Sequence, residues 1–106
     1  MITYQCDLCT DRYIISIEGH AGAAPEGQDI VCAAASALAL TLVEAVRNLD
    51  ARGCVSHLSR EVGKGSVQLD FTVKEDALPE AEAIVGTITD GFLLLEENCS
   101  EYICVG

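Results

Sequence analysis

The chain has 106 residues, half of them hydrophobic, and its formal net charge is −11 because 17 acidic residues stand against 6 basic ones. This length predicts one domain, residues 1–106, with enough apolar side chains to form a core. So negative a chain is a poor direct partner for nucleic acid or for an anionic membrane surface. The charge suits a basic partner, such as a peptide or a ribosomal protein, although solubility alone would also explain it.

Six cysteines in so short a chain raise the question of disulfides. The N-terminus, Met1-Ile2-Thr3-Tyr4, has neither the basic region nor the apolar run of a secretion signal. We therefore expect a cytoplasmic protein whose thiols are mostly free. The longest uncharged stretch, residues 30–43, is shorter than the about 20 residues that span a bilayer, so no membrane segment is expected.

The first part of the chain predicts two strands followed by a loop. Residues 2–6 are a strand candidate, and residues 7–12 are polar enough to form a turn. Apolar and polar side chains alternate over residues 13–17, which fits a second strand paired with the first as a hairpin. Residues 19–28 contain three glycines and one proline, a composition that predicts a mobile surface loop.

A long helix is predicted after this loop. Asp29 is a good N-cap, because its carboxylate can accept a hydrogen bond from an unpaired backbone amide. The helix should run from residue 30 to about residue 51 and end at Gly53. Its first half is apolar on every side, which predicts that it is either buried all round or covered by a partner. The surface of residues 30–43 accordingly predicts a dimer.

The second half of the chain repeats the strand–strand–helix order. Residues 54–60 and 67–73 are strand candidates, and the Gly63-Lys64-Gly65 segment predicts a hairpin between them. Apolar residues recur at helical spacing over 78–95, and residues 102–105 could add a short final strand. The order ββαββα predicts an α+β two-layer sandwich with a largely antiparallel sheet and two helices.

Cys32 and His20 are the candidate catalytic residues. Cys32 is the third residue of the predicted helix, where unpaired backbone amides and the helix dipole favour thiolate over thiol. His20 lies at the end of the second strand, and the loop returns the chain from there to Cys32. An imidazole in reach can take the thiol proton and later protonate a leaving amine. Free amides at the helix start could hold a tetrahedral oxyanion.

Each of these residues also has a purely structural interpretation. A cysteine in an apolar run is usually a core residue, and a histidine beside glycines is usually a loop residue. Asp29 either caps the helix alone or also orients His20, as the third member of a triad does. Ser36, one turn after Cys32, either faces the same pocket or bonds to the preceding carbonyl. His57 is expected on the sheet surface without a chemical role.

The remaining cysteines form weaker patterns. Cys6 and Cys9 make a Cys-x-x-Cys in or beside the predicted hairpin turn rather than at a helix start, which argues against a thioredoxin-like redox role. With Cys99 and Cys104 they could form a four-thiolate zinc site if the chain ends meet, but the spacing of the second pair is loose for zinc. We therefore expect neither a metal nor a cofactor.

One stretch of the chain carries a family signature. Its residues, in chain order, are Gly19-His20-Ala21-Gly22, Gly27, Asp29-Ile30-Val31-Cys32-Ala33-Ala34, Ser36-Ala37-Leu38 and Thr41. This stretch closely resembles the signature of the ribosomal-processing cysteine protease family, called Prp. The length and the predicted order of elements are also similar to that family, so the resemblance covers the whole chain.

The resemblance implies a definite activity. Members of the family remove a short N-terminal extension from a large-subunit ribosomal protein, the L-type protein numbered twenty-seven. The family histidine maps to His20, the nucleophile to Cys32, the motif aspartate to Asp29 and the motif serine to Ser36.

The resemblance also implies a homodimer and a mobile loop that gates the substrate cleft. Gly19, Gly22 and Gly27 belong to that loop here. The sequence therefore favours a cytoplasmic cysteine endopeptidase that acts on a ribosomal protein precursor during ribosome maturation. The alternative is a non-catalytic ribosome-assembly or adaptor protein, whose acidic surface binds basic ribosomal proteins and whose Cys32 is a core residue.

Overall fold

Strands and helices form two layers in this computed structural model, which describes residues 1–25 and 29–106. In chain order the strands and α-helices are β1 (Ile2–Cys9), β2 (Arg12–Glu18), α1 (Ile30–Ala51), β3 (Val55–Gly63), β4 (Ser66–Val73), α2 (Leu78–Asn98) and β5 (Ile103–Val105). A single 3-10 turn, Glu75–Ala77, leads into α2. The predicted α+β fold is confirmed.

The sheet has the strand order β3-β4-β2-β1-β5. Neighbouring strands are antiparallel except β1 and β5, which run parallel. A parallel pair needs a long crossover connection, and α2 lies in the connection that leads to β5. The sheet is therefore largely antiparallel, as predicted, with a short parallel strand at one edge.

Two strands are longer than the sequence predicts. β1 continues to Cys9, so the predicted turn over residues 7–12 is wrong: the turn occupies Thr10 and Asp11, and Thr10 has a φ of +59°. β3 likewise runs to Gly63 rather than ending at residue 60. The polar side chains in these segments mark the exposed parts of paired strands, because the backbone ladder with β2 or β4 continues through them.

The core lies between one face of the sheet and the two helices. Alternate residues of β2 and β4 point into it, and Tyr13 stacks on Phe71 with a centroid distance of 5.3 Å. Tyr4 of β1 stacks on Phe92 of α2 at 4.5 Å. The first pair links the neighbouring strands β2 and β4, and the second joins the sheet to α2.

One face of α1 is buried and the opposite face is exposed. The buried residues are Val31, Ala35, Ala39, Leu42, Val43, Val46 and Leu49. On the other side, Ile30 is 81% exposed and Leu40 is 53% exposed. The expectation that the first half of the helix is buried all round is therefore wrong for the chain alone, because the sheet can cover only one side of it.

By length and hydropathy alone, α1 would also qualify as a membrane-spanning helix, the single one among the described residues. Its buried side packs into the hydrophobic core of the domain, which is the arrangement of a core helix.

Candidate active site

Asp29 fixes the start of α1. It is the N-cap, and its Oδ1 accepts a hydrogen bond from the backbone N–H of Cys32 at 2.9 Å. Its Oδ2 accepts from the backbone N–H of Ala23 at 3.0 Å. The Cys32 amide, followed by other backbone amides, holds the pKa of Asp29 below its ordinary value. One carboxylate therefore ties residue 23 of the preceding loop to the first turn of the helix.

Cys32 lies in this first turn and is half-buried. Its backbone amide donates to the Asp29 side chain, and the next amide, of Ala33, donates to the Asp29 carbonyl at 3.0 Å. The expectation that free amides here hold an oxyanion is therefore wrong for these two groups, because the cap already occupies them. The helix N-terminus still favours negative charge at this end of α1.

His20 lies two residues after the end of β2 and is held through backbone hydrogen bonds. Gly19 has a φ of +104°, and its N–H donates to the carbonyl of Gly65 at 2.9 Å. The N-terminal ammonium of Met1 donates to the His20 carbonyl at 2.7 Å. These bonds fix the backbone of His20 between β1 and the β3–β4 turn.

Two adjoining clefts contain both candidate catalytic residues. The residues that line both clefts are His20, Cys32, Ser36 and Lys64. The first cleft continues over apolar side chains that include Ile17, Leu40 and Val62. The second continues toward Gly22, Asp29 and Ala33. A groove with the thiol and the imidazole at its centre suits an extended chain that enters on one side and leaves on the other.

The predicted site residues thus lie around the same clefts, but not all of them are in direct contact with one another. Asp29 borders the second cleft but, among the described residues, its contacts are with backbone amides and not with His20. No hydrogen bond joins His20 to Cys32 in the part of the chain that the structure describes. Such contacts often form only in the substrate complex. The predicted loop residue Gly27 lies outside the described residues.

Ser36 faces the clefts rather than its own helix. The hydroxyl of Thr41, on the same helix, bonds to the carbonyl four residues before it, at Ala37. No such bond to the Cys32 carbonyl is found for Ser36 within the described residues. Of the two interpretations of Ser36, the structure supports a side chain in the same cleft as Cys32.

The β3–β4 turn is the part of the site that sequence reasoning missed. Lys64 lines both clefts, and Gly63 and Gly65 line the first. The two glycines beside Lys64 indicated only a hairpin. Nothing in the local pattern placed that hairpin against His20, because the contact depends on how β2 pairs with β4.

The other cysteines lie elsewhere. Cys6 and Cys9 are three positions apart in β1 and so point to opposite faces of the sheet, which prevents them from acting as a redox pair. Burial raises the pKa of the Cys6 thiol. Cys54 lies 3.9 Å from the Arg52 guanidinium.

Among the described residues no group of three or more His, Cys, Asp or Glu side chains is arranged to hold a metal ion. His57 is exposed on β3, as expected.

A thiol at a helix start and an imidazole in the same cleft are the equipment of a cysteine hydrolase. The family model described as cysteine protease Prp matches residues 1–104, so the chain belongs to the Prp family of cysteine proteases. The predicted family and the expected enzyme class are confirmed, and the non-catalytic alternative loses its support.

Solved structures show the same fold. The essential ribosomal processing protease Prp from S. aureus, in complex with a covalently linked product peptide, is 25% identical, with a TM-score of 0.72. The match covers 100% of this chain and 98% of that one. A protein from Streptococcus mutans is 24% identical, with a TM-score of 0.69 over 99% of this chain and 91% of that one, and shares the fold. No curated protein matches the chain.

Proposed function

We propose that this protease acts in the cytoplasm and removes the N-terminal extension of a ribosomal protein precursor during ribosome maturation. The substrate would be the large-subunit, L-type protein numbered twenty-seven. The observation that carries the proposal is the convergence of Cys32 and His20 in two adjoining clefts. The S. aureus neighbour, described as a ribosomal processing protease with a bound product peptide, supports the substrate class.

In the proposed mechanism Cys32 and His20 act as a dyad. The imidazole of His20 takes the thiol proton, and the thiolate of Cys32 attacks the carbon of the scissile carbonyl to form a C–S bond. The imidazolium then protonates the leaving amine as the C–N bond breaks. Water, deprotonated by His20, next attacks the thioester, which releases the carboxylate product and returns the proton to the thiol.

The shape of the groove fits an extended substrate. On one side of the dyad the cleft is walled by Ile17, Leu40 and Val62, which would bind apolar side chains. On the other side it passes Gly22 and Asp29, where the chain leads into the loop before α1. Closure of this loop over the peptide would use binding energy that a wrong sequence does not supply.

The acidic surface also suits this substrate. A net charge of −11 attracts a basic precursor and repels nucleic acid. Electrostatic attraction of this kind raises the rate at which enzyme and precursor associate, and it has less influence on which peptide bond is cleaved.

The test is cleavage of the organism's own precursor by wild type and by Cys32→Ala, followed by mass spectrometry. Cys54→Ala is a matched control, since Cys54 is also half-buried but lines neither cleft. We expect one N-terminal cleavage by wild type and Cys54→Ala and none by Cys32→Ala. Equal cleavage by Cys32→Ala would contradict the assigned nucleophile, and an uncleaved precursor with folded wild type would contradict the substrate.

A further inference from the structure

We propose that Gly65, in the turn between β3 and β4, is a positioning residue that holds the imidazole of His20 in the cleft it shares with Cys32. The inference rests on the proposed function, because it assigns a supporting part to the proposed dyad.

The contact between Gly65 and His20 leaves no room for a side chain. A Cβ atom at Gly65 would lie 2.6 Å from Nε2, 2.7 Å from Cε1 and 3.3 Å from Cδ2 of His20. The first two distances are shorter than non-bonded carbon contacts allow. The end of the ring that bears Nε2 therefore lies directly against the backbone of the turn, and any other residue at position 65 would displace it.

The backbone of Gly65 is fixed relative to His20 as well. Its carbonyl accepts the hydrogen bond from Gly19, the residue before His20. Gly65 itself has a φ of +74°, a conformation that other residues rarely adopt. The turn and the histidine thus meet through a backbone hydrogen bond on one side and ring packing on the other.

Among residues 1–25 and 29–106, no carboxylate takes over this orienting part. Both carboxylate oxygens of Asp29 already accept hydrogen bonds, from the backbone N–H groups of Cys32 and Ala23. Among the described residues His20 takes part in no ion pair with an acid. Catalytic histidines are often oriented by a hydrogen-bonded third residue. Here steric packing against a glycine performs that role.

The experiment compares Gly65→Ala with Gly53→Ala. Gly53 has nearly the same φ, +76°, but nothing lies within 4 Å of the position its Cβ would take. Both variants carry the same backbone strain, so both should lose a similar amount of thermal stability. Only Gly65→Ala should lower kcat for precursor cleavage, by roughly 10- to 100-fold with little change in KM, since misplacing a catalytic group has effects of this size.

A double-mutant cycle shows whether the effect passes through His20. The readout is the rate at which iodoacetamide alkylates Cys32, measured in wild type, Gly65→Ala, His20→Ala and the double variant. We expect Gly65→Ala to slow alkylation in the wild-type background and to change nothing once His20 is absent. The same slowing in both backgrounds, or equal kcat losses in Gly65→Ala and Gly53→Ala, would overturn the proposal.

Different results would overturn the proposed function and the role of Gly65. A folded wild type that neither cleaves precursor nor shows faster alkylation of Cys32 than His20→Ala would overturn the proposed function, and this inference with it. An active wild type whose Gly65→Ala variant keeps its kcat would overturn only the role of Gly65.

Discussion

At the scale of single residues, Asp29 links two parts of the site through one carboxylate. Its two oxygens bind the amides of Cys32 and Ala23, which lie on opposite sides of a segment that includes Gly27. A cap that serves only its helix would need one of these bonds. The second bond makes Asp29 a tether between the loop before α1 and the helix turn that contains Cys32.

The charge of Asp29 should appear in the pH dependence of stability. Backbone amides lower its pKa in the folded state, so its contribution is fully present above the unfolded value of about 3.9 and is lost as the pH falls through the lower folded value. We expect the melting temperature of wild type to exceed that of Asp29→Asn at pH 7 and the gap to shrink below about pH 4. A gap that stays constant with pH would contradict this.

At the scale of elements, the loop before α1 has two described glycines with a positive φ, Gly19 and Gly22. Gly22 has a φ of +70° and lines the second cleft. A β-branched residue in this conformation costs roughly 1–2 kcal/mol, which corresponds to about tenfold in rate if the loop must adopt it to close.

Gly22→Val should therefore lower turnover about tenfold while the melting temperature changes little, because the loop contributes little to the core. Ala23→Val is the control in the same loop, since Ala23 is exposed and lacks a positive φ. Steady-state cleavage of the precursor measures both variants. Unchanged turnover in Gly22→Val would remove the gating role of this residue.

The elements differ in how far the sequence predicts them. Helix α1 is predicted almost to the residue, because Asp29 and Gly53 mark its ends by local chemistry. The lengths of β1 and β3 are not predicted from the sequence, because pairing with a neighbour extends a strand through polar residues. The place of Gly65 against His20 follows from strand order alone, which no local pattern contains.

At the scale of the whole molecule, the described residues leave an apolar stripe on α1 exposed. It is centred on Ile30 and Ala37, which lie two helical turns apart, are both exposed and line neither cleft. We propose that a second copy of the chain covers it, in line with the homodimer that the family resemblance implies.

Light scattering at micromolar concentration should then give the mass of a dimer. Ala37→Glu should give a monomer, because it places a charge in the middle of the stripe and Ala37 lines neither cleft. Asn48→Glu, on the exposed polar part of the same helix, should leave the dimer intact. A monomeric wild type would contradict this interface.

Cys32 is the proposed nucleophile, and competition among the six thiols for one alkylating reagent tests this assignment. Cys9 and Cys104 are exposed, whereas the other four are half-buried: Cys6, Cys32, Cys54 and Cys99. Exposure alone would make the first two react fastest with iodoacetamide at neutral pH. We expect mass spectrometry to find Cys32 modified first and His20→Ala to slow the alkylation of Cys32 alone. A Cys32 that reacts no faster than Cys54 and Cys99 would contradict the assignment.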